Sequence, residues 1–477
     1  MKVFYLLIIV AFFHTSLMAQ NYDTAIKRAA FLIKAHMEQT QIPGCQIAVL
    51  AKGKIVWSQG FGYSDLENKM KVTPTTKFRI ASVSKSLTSF ALGKLIDLDK
   101  INIDSPITTY LPSFPKKKFN ITPRQLASST AGIRHYNSTD PKLNHKNYAT
   151  VFDALERFQN DELLFEPGTE YLYSSYGWVL LSAVMEKASG TTFFELLQQT
   201  WDDLEMKNTS FDFPDTSIQQ KSKFYIYDKK QNRKLAPLED RSYMYAGGGY
   251  LSTAGDMVLM GDAIIQNNFL SETTKKLITQ SHKLNNGALT HYGLGWESGQ
   301  SRLKTKVLFH SGSLPTSLAH LVVYPDEEVV LAYLANTGDN VFFNEREAQT
   351  IAELFIKKED FKNQQTNNLA GTWEIETTSL KGKKTKGVLK LNIKNDAFIS
   401  GAISFKRSRK KISCPLTVAS VENNKVHLVA VSPMFIDLYL EFEDEKFSGE
   451  WLHDFNVKGI PEKDDYWKPR KITGSKI

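Results

Sequence analysis

Ser82 and Lys85 have the residue types and the spacing of a catalytic nucleophile and its general base. An amine three residues after a hydroxyl lies on the same helix face, where it can take the hydroxyl proton. Ser82 is at the start of a segment predicted to be a long amphipathic helix, with apolar positions from Leu87 to Ile96. The positive end of the helix dipole would therefore favour the Ser82 alkoxide. We predict a nucleophile and its base. The alternative is a helix-capping serine beside a solvated lysine. The pattern S-x-x-K occurs at four positions: Ser82, Ser113, Ser301 and Ser408.

Tyr173 supplies a second hydroxyl of suitable chemistry, in a Tyr-Ser-Ser sequence that ends at Ser175. It follows a Pro-Gly pair and precedes a segment of helical spacing, so we expect it at a loop-to-helix entry that lines a cleft. A phenol near a lysine ammonium can have its pKa lowered and can relay protons. Tyr136 begins a competing Y-x-S pattern, and a tyrosine that only packs is the other alternative.

His310 begins the sequence His-Ser-Gly at the end of one strand-like run and before another. Gly312 would let a ligand approach the edge strand closely. The N–H of Ser313 could then pair with the N–H of Ser82 as an oxyanion hole. A competing H-x-G begins at His291, but no strand-like run follows it, and a purely structural histidine is the alternative.

The elements that must position these residues are strands at both ends of a first domain, with helices between. We predict a helix over 22–40, a hairpin over 45–57, mostly helices over 120–240, strands within 307–335 and a helix near 345–357. Strands from the two ends are expected to share one antiparallel sheet. The inserted helical region would then lie against a sheet face and form a cleft there.

The chain is predicted to carry a signal peptide and two domains. Lys2 precedes an apolar run from Val3 to Phe13, which is typical of a secretory signal peptide over 1–19. An uncleaved N-terminal anchor is the alternative. A polar stretch at 362–368 is predicted to be a linker between a domain at 20–361 and a second domain at 369–477. We therefore expect an exported, periplasmic or secreted protein without stable membrane insertion.

The second domain is predicted to be a small all-β barrel or sandwich. Short alternating runs recur at about ten-residue spacing beyond the linker, for example at Val388–Ile393 and Ile436–Leu440. Apart from the S-x-x-K at Ser408, which lies in a polar, loop-like segment, no catalytic motif occurs in this part of the sequence.

Composition excludes several classes of function. The chain has 477 residues, 42% hydrophobic and 23% charged, with a net charge of +8. Its basic runs are short and lack interleaved aromatics, so no nucleic-acid partner is expected. The two cysteines, Cys45 and Cys414, cannot form a disulfide framework and are predicted to be buried free thiols. No metal-ligand spacing occurs, so no metal or other cofactor is expected.

Together, the S-x-x-K, Y-x-S and H-x-G motifs follow one another at separations of about 90 and about 140 residues. Over about 30–360, the sequence resembles the serine β-lactamase and penicillin-binding-protein superfamily, in its class C-like branch. The resemblance implies an α/β fold, an acyl-enzyme on Ser82, a general base shared by Lys85 and Tyr173, and His310 on the edge strand. The second domain resembles lipocalin-like β domains. Further motifs carry the resemblance: Phe78–Thr88, Ile121–Leu126, Gly132–Tyr136, Glu166–Gly168, Ala246–Tyr250 and Tyr292–Trp296.

Two departures from the class C pattern bear on the substrate. Ser175 replaces the asparagine of Y-x-N, and His310 replaces the lysine of K-T-G, so no ammonium is available for a substrate carboxylate. We therefore expect a peptidase or esterase acting on a small ester or peptide amide, with Ser175, Gly312 and Ser313 contacting the substrate. A β-lactamase and a non-catalytic penicillin- or peptide-binding protein are the alternatives, and the oligomeric state is left open.

Overall fold

The computed structural model describes residues 22–477 except the segments 138–139, 141–145, 215–217, 229, 231, 267–268, 339–342, 357–368, 380, 395–397, 408–409, 423, 433–434 and 453–468. The predicted signal peptide at 1–19, the predicted linker at 362–368 and the S-x-x-K serine Ser408 lie outside the described residues.

Helices and strands alternate in the first domain, and strands alone follow in the second. The α-helices are α1 (Asp23–Thr40), α2 (Val83–Asp97), α3 (Pro123–Ala127), α4 (Ser175–Ser189), α5 (Phe193–Asp203), α6 (Tyr245–Gly248), α7 (Ala254–Ile265), α8 (Glu272–Thr279) and α9 (Glu345–Glu353). The first-domain strands are β1 (Gly44–Ala51), β2 (Lys54–Asp65), β3 (Met70–Lys71), β4 (Phe78–Arg79), β5 (Ser210–Phe211), β6 (Tyr225–Tyr227), β7 (Arg233–Leu235), β8 (Tyr250–Ser252), β9 (Glu297–Gln300), β10 (Lys306–Leu314), β11 (Ser317–Tyr324) and β12 (Val329–Ala335). The second-domain strands are β13 (Gly371–Thr378), β14 (Lys384–Lys394), β15 (Phe398–Arg407), β16 (Lys410–Glu422), β17 (Lys425–Val431), β18 (Phe435–Glu443), β19 (Lys446–Leu452) and β20 (Arg470–Lys476).

Strands from both ends of the first domain share one antiparallel sheet, which confirms the prediction. Its order is β3-β2-β1-β12-β11-β10-β9. The two ends meet where β1 pairs with β12, with Cys45 opposite Ala335 and Ala51 opposite Val329. The helical region lies between these strands in sequence. A small sheet of order β4-β8-β5 also forms here, and its strand β4 ends shortly before Ser82.

The two faces of the sheet bury different layers of helices, because side chains alternate along each strand. One face, with Ala48, Leu321 and Ala332 on it, packs against α2 and α7 in one apolar core. The other face, with Ile47 and Tyr333 on it, packs against α1 and α9 in a second core. The cleft residues considered below belong to the first face.

Helix α2 differs from the amphipathic helix that the sequence predicted. Its polar side chains from Ser84 to Ser89 are buried along with its apolar ones, so this part of the helix runs through the middle of the domain rather than along its surface. Internal hydrogen bonds satisfy these groups: Ser86 donates to Gly295 O at 2.7 Å, and Thr88 donates to Ala246 O at 3.0 Å. A helix enclosed in this way holds its first turn rigidly.

The second domain is a closed barrel in which β13 to β20 pair in chain order and β20 returns to β13. This confirms the barrel and excludes the sandwich. Apolar side chains fill the described interior. Trp373, Leu428 and Leu438 are fully buried there, and Trp373 donates its indole N–H to Leu369 O at 3.2 Å. Of the two cysteines, Cys414 is buried in this barrel and Cys45 in the first domain, both as free thiols, as predicted.

The barrel docks on the helical layer formed by α1 and α9. Ala419, Val429 and Phe435 join the apolar core that these helices share with the outer face of the sheet. Arg28 of α1 donates to Ala419 O at 3.2 Å. The barrel therefore packs on the side of the sheet away from α2.

A buried cluster of charged residues closes the same boundary. Asp437 of β18 is fully buried and accepts from Arg302 at 2.7 Å, from His427 at 2.8 Å and from Arg346. Arg302 lies in the β9–β10 turn and also pairs with Glu353 of α9 at 2.6 Å. Opposite charges and several hydrogen bonds compensate the burial of each group.

Within the part of the chain that the structure describes, no helix is long and apolar enough to cross a membrane.

Candidate active site

Ser82 sits on a sharp turn between β4 and α2. Ala81 adopts a positive φ of 46°, which is uncommon for a residue with a side chain. Val83 N donates to Ile80 O at 3.1 Å and Ser84 N donates to Ala81 O at 2.9 Å, so the turn leads directly into the helix. Ser82 occupies the helix N-cap but its side chain makes no capping hydrogen bond. The hydroxyl is therefore available to other partners, unlike that of a capping serine.

Lys85 reaches that hydroxyl from one turn further along α2. Its Nζ lies 3.1 Å from Ser82 Oγ, 2.9 Å from Ser175 Oγ and 2.5 Å from Gly247 O. The side chain is fully buried, so the alternative of a solvated lysine is wrong. Burial lowers the pKa of Lys85 well below its ordinary value. In the neutral form, the amine has two N–H donors and one lone pair for these three partners.

Tyr173 completes the immediate surroundings of Ser82. It lies just before α4, and its hydroxyl forms a hydrogen bond with the Ser82 side chain. Lys85 Nζ lies 4.8 Å from the centre of the Tyr173 ring. Burial raises the pKa of Tyr173, and the hydrogen bond with Ser82 offsets part of that rise. The phenol is therefore protonated at neutral pH, contrary to the lowered pKa that the sequence predicted.

The competing motifs do not form such a site. Ser113 and Lys116 are both exposed, and the Ser301 hydroxyl pairs with Thr305 while Lys304 is exposed. Tyr136 packs edge-on against Tyr176, with ring centres 5.0 Å apart. Among the described residues, the sequence S-x-x-K brings serine and lysine together at Ser82 and Lys85.

Ser175 lies beside Lys85 at the start of α4. Its Oγ is a partner of Lys85 Nζ, and its backbone N–H donates to His135 Nδ1 at 3.1 Å. The side chain predicted to contact substrate is thus engaged with the lysine. His135 was overlooked as a site residue although it lies in the Gly132–Tyr136 motif, because nothing in sequence spacing brings that loop to α4.

His310 stands on β10 and is held by hydrogen bonds at both ring nitrogens. A carbonyl can only accept, so Nδ1 carries the hydrogen and donates to Ser311 O at 2.8 Å. Nε2 then accepts from the Tyr292 hydroxyl at 3.0 Å. Burial lowers the pKa of His310 to about 3, with a further contribution from Lys85. His310 is neutral, and its ring centre lies 6.3 Å from that of Tyr173.

Tyr292 links the histidine to the tyrosine of the Y-x-S motif. Its ring lies edge-on to Tyr173, with centres 6.0 Å apart, while its hydroxyl holds His310. Sequence reasoning considered this residue only as part of a rival H-x-G and of a family motif. Its role depends on the fold bringing the 290–296 loop to β10, which no local pattern indicates.

Gly312 is required by the protein's own backbone. A Cβ at this position would lie 2.2 Å from Ile80 O and 3.0 Å from Ser82 N. The nucleophile turn itself therefore requires a glycine at this position, and the approach of a ligand at Gly312 stays a prediction. The same contact brings β10 against Ser82, and Ser313 follows on the part of β10 that β9 does not cover. The oxyanion hole formed by the N–H groups of Ser82 and Ser313 stays a prediction.

The S-x-x-K turn, the tyrosine before α4 and the H-x-G edge strand are thus brought to one place. A family model described as beta-lactamase matches residues 30–355. This chain belongs to the beta-lactamase family. Proteins of this family are generally serine hydrolases, and in this chain a closed barrel follows the matched residues.

Curated relatives in the beta-lactamase family come from animals and bacteria. The mitochondrial serine beta-lactamase-like protein LACTB of Homo sapiens is 32% identical over 312 residues, which is 51% of this chain and 57% of that protein. Protein flp of Staphylococcus aureus is 25% identical over 316 residues, which is 64% of this chain and 62% of that protein. The chain therefore matches less than two thirds of the length of these relatives.

Solved structures share the beta-lactamase-family fold. The octameric penicillin-binding protein homologue from Pyrococcus abyssi has a TM-score of 0.60 at 20% identity, covering 94% of this chain and 99% of that chain. The D-amino acid amidase from Ochrobactrum anthropi has a TM-score of 0.58 at 20% identity, covering 66% of this chain and 93% of that chain. At these identities the likeness concerns the fold.

A buried ion pair anchors the nucleophile turn of this beta-lactamase-family domain. Arg79, three residues before Ser82, donates from Nε to Asp212 at 2.6 Å, and both side chains are buried. The same guanidinium contacts Thr316, in the β10–β11 turn, at 3.3 Å. Arg79 therefore ties the turn that carries Ser82 to the hairpin that carries His310.

Proposed function

We propose that this protein is a serine hydrolase that cleaves an ester or a peptide amide through an acyl-enzyme on Ser82. The observation that carries the proposal is the contact between Lys85 Nζ and Ser82 Oγ at 3.1 Å, with the lysine side chain fully buried. A buried amine without a carboxylate partner among the described residues favours its neutral form. A neutral amine can accept the proton of an attacking hydroxyl.

In the first step, Ser82 Oγ bonds to the substrate carbonyl carbon while its proton passes to Lys85. The carbonyl oxygen becomes an oxyanion, which the N–H groups of Ser82 and Ser313 would stabilise. Collapse of this intermediate expels an alcohol or amine. The leaving group takes up the proton that Lys85 accepted, relayed through the Tyr173 hydroxyl. The enzyme is left acylated at Ser82.

In the second step, water attacks the ester carbonyl of the acyl-enzyme. One water proton passes to the base, the bond to Ser82 Oγ breaks, and that oxygen regains a proton. The products are a carboxylic acid and free Ser82. Lys85 is favoured as proton acceptor over Tyr173, because burial lowers the lysine pKa and raises the tyrosine pKa. Tyr173 then acts as the relay.

The neutral His310 supports a peptidase or esterase over an efficient β-lactamase. Both of its nitrogens are engaged by Tyr292 and Ser311, so it offers no cation to a substrate carboxylate. The fold neighbours include a D-stereospecific amidohydrolase from Streptomyces and the D-amino acid amidase, which agrees with amide or ester substrates. The second candidate function is hydrolysis of β-lactams, or penicillin binding without turnover. The match to the beta-lactamase family model favours it.

A fluorophosphonate probe tests the nucleophile, and a substrate screen tests the reaction. The wild-type protein should be labelled at Ser82, and Ser82→Ala should not. The screen compares nitrocefin, p-nitrophenyl esters and D-amino-acid anilides, with Ser82→Ala as the blank. Equal labelling of the two proteins contradicts the proposal. Labelling with turnover of nitrocefin alone, or stable acylation by penicillin without any turnover, favours the second candidate.

We also propose that the protein is exported to the periplasm or beyond, on the strength of Lys2 and the apolar run from Val3 to Phe13. Cleavage after Ala19 would yield a domain at 20–361, a linker at 362–368 and the barrel domain at 369–477. N-terminal sequencing of the protein recovered from cell fractions tests this. A mature chain beginning near Gln20 outside the cytoplasm is the expected result.

A further inference from the structure

One hydrogen bond fixes the His135 ring against the N-terminus of α4, and a second holds the backbone of the preceding residue. Ser175 N donates to His135 Nδ1 at 3.1 Å, and the Ser174 hydroxyl donates to Arg134 O at 2.8 Å. Arg134 itself is held by Asp140 at 2.8 Å and by Asp161 at 2.5 Å. The backbone and the ring of His135 are therefore positioned before any ligand arrives.

These contacts determine which ring nitrogen carries hydrogen. A backbone amide can only donate, so Nδ1 of His135 accepts and the hydrogen is on Nε2. Burial lowers the pKa of His135 to about 4. The ring is neutral at physiological pH. Among the described residues, Nε2–H has no hydrogen-bond partner, and the side chain is only partly buried.

The ring also lies beside the reacting groups. The His135 ring is edge-on to that of Tyr173, with ring centres 5.8 Å apart, and the Tyr173 hydroxyl is hydrogen-bonded to the Ser82 side chain. Tyr136 supports its other side, with centres 4.3 Å apart. Ser175 Oγ accepts from Lys85, and His135 Nε2–H adds to this wall a donor that has no hydrogen-bond partner among the described residues.

We propose that His135 is a substrate-binding residue whose Nε2–H donates to an uncharged carbonyl oxygen flanking the scissile bond. A fixed, neutral, single donor suits a carbonyl better than a carboxylate, which a cation would bind more strongly. Substrates with a second carbonyl are therefore preferred over equally long substrates without one. This inference rests on the proposed function of Ser82.

Two substitutions separate this role from a structural one. His135→Asn keeps an acceptor for Ser175 N–H at the position of Nδ1 but removes the Nε2 donor. His135→Gln places an amide donor near the position of Nε2. His282→Asn is the matched control, since His282 is also a partly buried histidine with a lowered pKa, but it lies near Arg124 and Asp104.

The readout is a ratio of kcat/KM values within substrate pairs of equal length. On the acyl side, the p-nitrophenyl ester of N-acetylglycine is compared with p-nitrophenyl pentanoate. On the leaving-group side, the acetate ester of glycolamide is compared with propyl acetate. His135→Asn should lower the ratio about 10-fold for one of the two pairs, as expected for one lost hydrogen bond. His135→Gln should restore most of it, and His282→Asn should leave it at the wild-type value.

An unchanged ratio for both pairs in His135→Asn overturns the inference, provided that Ser82 is still labelled by the fluorophosphonate. So does an equal fall in His135→Asn and His135→Gln, which would indicate a structural role. Absence of labelling in the wild-type protein contradicts the proposed function instead, so the two failures are distinguishable.

Discussion

Arg302 and Asp437 form an ion pair across the boundary between the two domains, at 2.7 Å. Arg302 belongs to the β9–β10 turn, and β10 continues from that turn to His310. Asp437 belongs to the barrel and is fully buried. The barrel is thus attached to the hairpin that also forms one wall of the candidate site.

We expect Asp437→Asn to destabilise the protein by about 3–5 kcal/mol, because it removes a fully buried counter-charge that Arg302 and Arg346 share and leaves Arg302 with Glu353. Thermal and urea unfolding measure the change. The control is Glu441→Gln, which lies on the same strand but is exposed, and which should stay within about 0.5 kcal/mol of the wild type. Equal midpoints for the two variants would contradict the account of the boundary.

Glu347 gives the boundary a dependence on pH. Its buried carboxylate accepts from Asn344 N and from Phe435 N of the barrel, and burial raises its pKa from 4.5 to about 7. The folded protein binds more protons than the unfolded chain between these values, so stability is lost as the pH rises through about 7. At about 1.4 kcal/mol per pKa unit, this amounts to about 3 kcal/mol.

Glu347→Gln should therefore gain stability relative to the wild type as the pH rises from about 4.5 to 8, measured by urea unfolding. Glu195→Gln is the control. Glu195 holds the same capping position on α5, but hydrogen bonds from Thr192 lower its pKa and its side chain is exposed. The Glu195 contribution is present above pH 4.5 and is lost as the pH falls. Parallel curves for the two variants would disprove the assignment.

Lys85→Met should reduce kcat/KM by about 10²–10⁴-fold, the usual range for loss of a general base. The unfolded chain holds the lysine proton up to its ordinary pKa of 10.5, whereas the folded protein releases it at lower pH. The free energy of unfolding of the wild type should therefore rise with pH through that window relative to Lys85→Met. Lys100→Met, at an exposed lysine, should follow the wild-type curve.

Gly312→Ala should slow fluorophosphonate labelling of Ser82 by about 10²-fold, because a Cβ only 2.2 Å from Ile80 O must displace the nucleophile turn. Gly299→Ala on the neighbouring strand is the control, since nothing lies within 4 Å of a Cβ there. Labelling rates measured by mass spectrometry distinguish the two. Equal rates would show that β10 yields without moving Ser82.

Local patterns predicted much of this molecule. The pairing of Ser82 with Lys85 follows from helix geometry, and the sheet and the barrel follow from alternating apolar residues and turn signals. The partners brought in by distant segments could not be predicted. Gly247 accepts from Lys85 across 162 positions of sequence, and Tyr292 and His135 reach the site from separate loops.

The direction of the Tyr173 pKa shift was predicted wrongly for a related reason. The motifs suggest that a phenol and an amine meet in one site, which favours a lowered tyrosine pKa, but they do not show how deeply both groups are buried. Enclosure disfavours each charged form, so the amine becomes the better base. Burial is a property of the whole fold, whereas spacing is a property of the segment.

The sheet separates the cleft from the barrel, since α2 lies against one face while α1, α9 and the barrel lie beyond the other. The sheet thus serves as a partition between the cleft and the barrel. We expect substitutions in the cleft to leave the apolar contacts of the barrel intact, whereas Arg302, in the turn that leads into β10, connects the two directly.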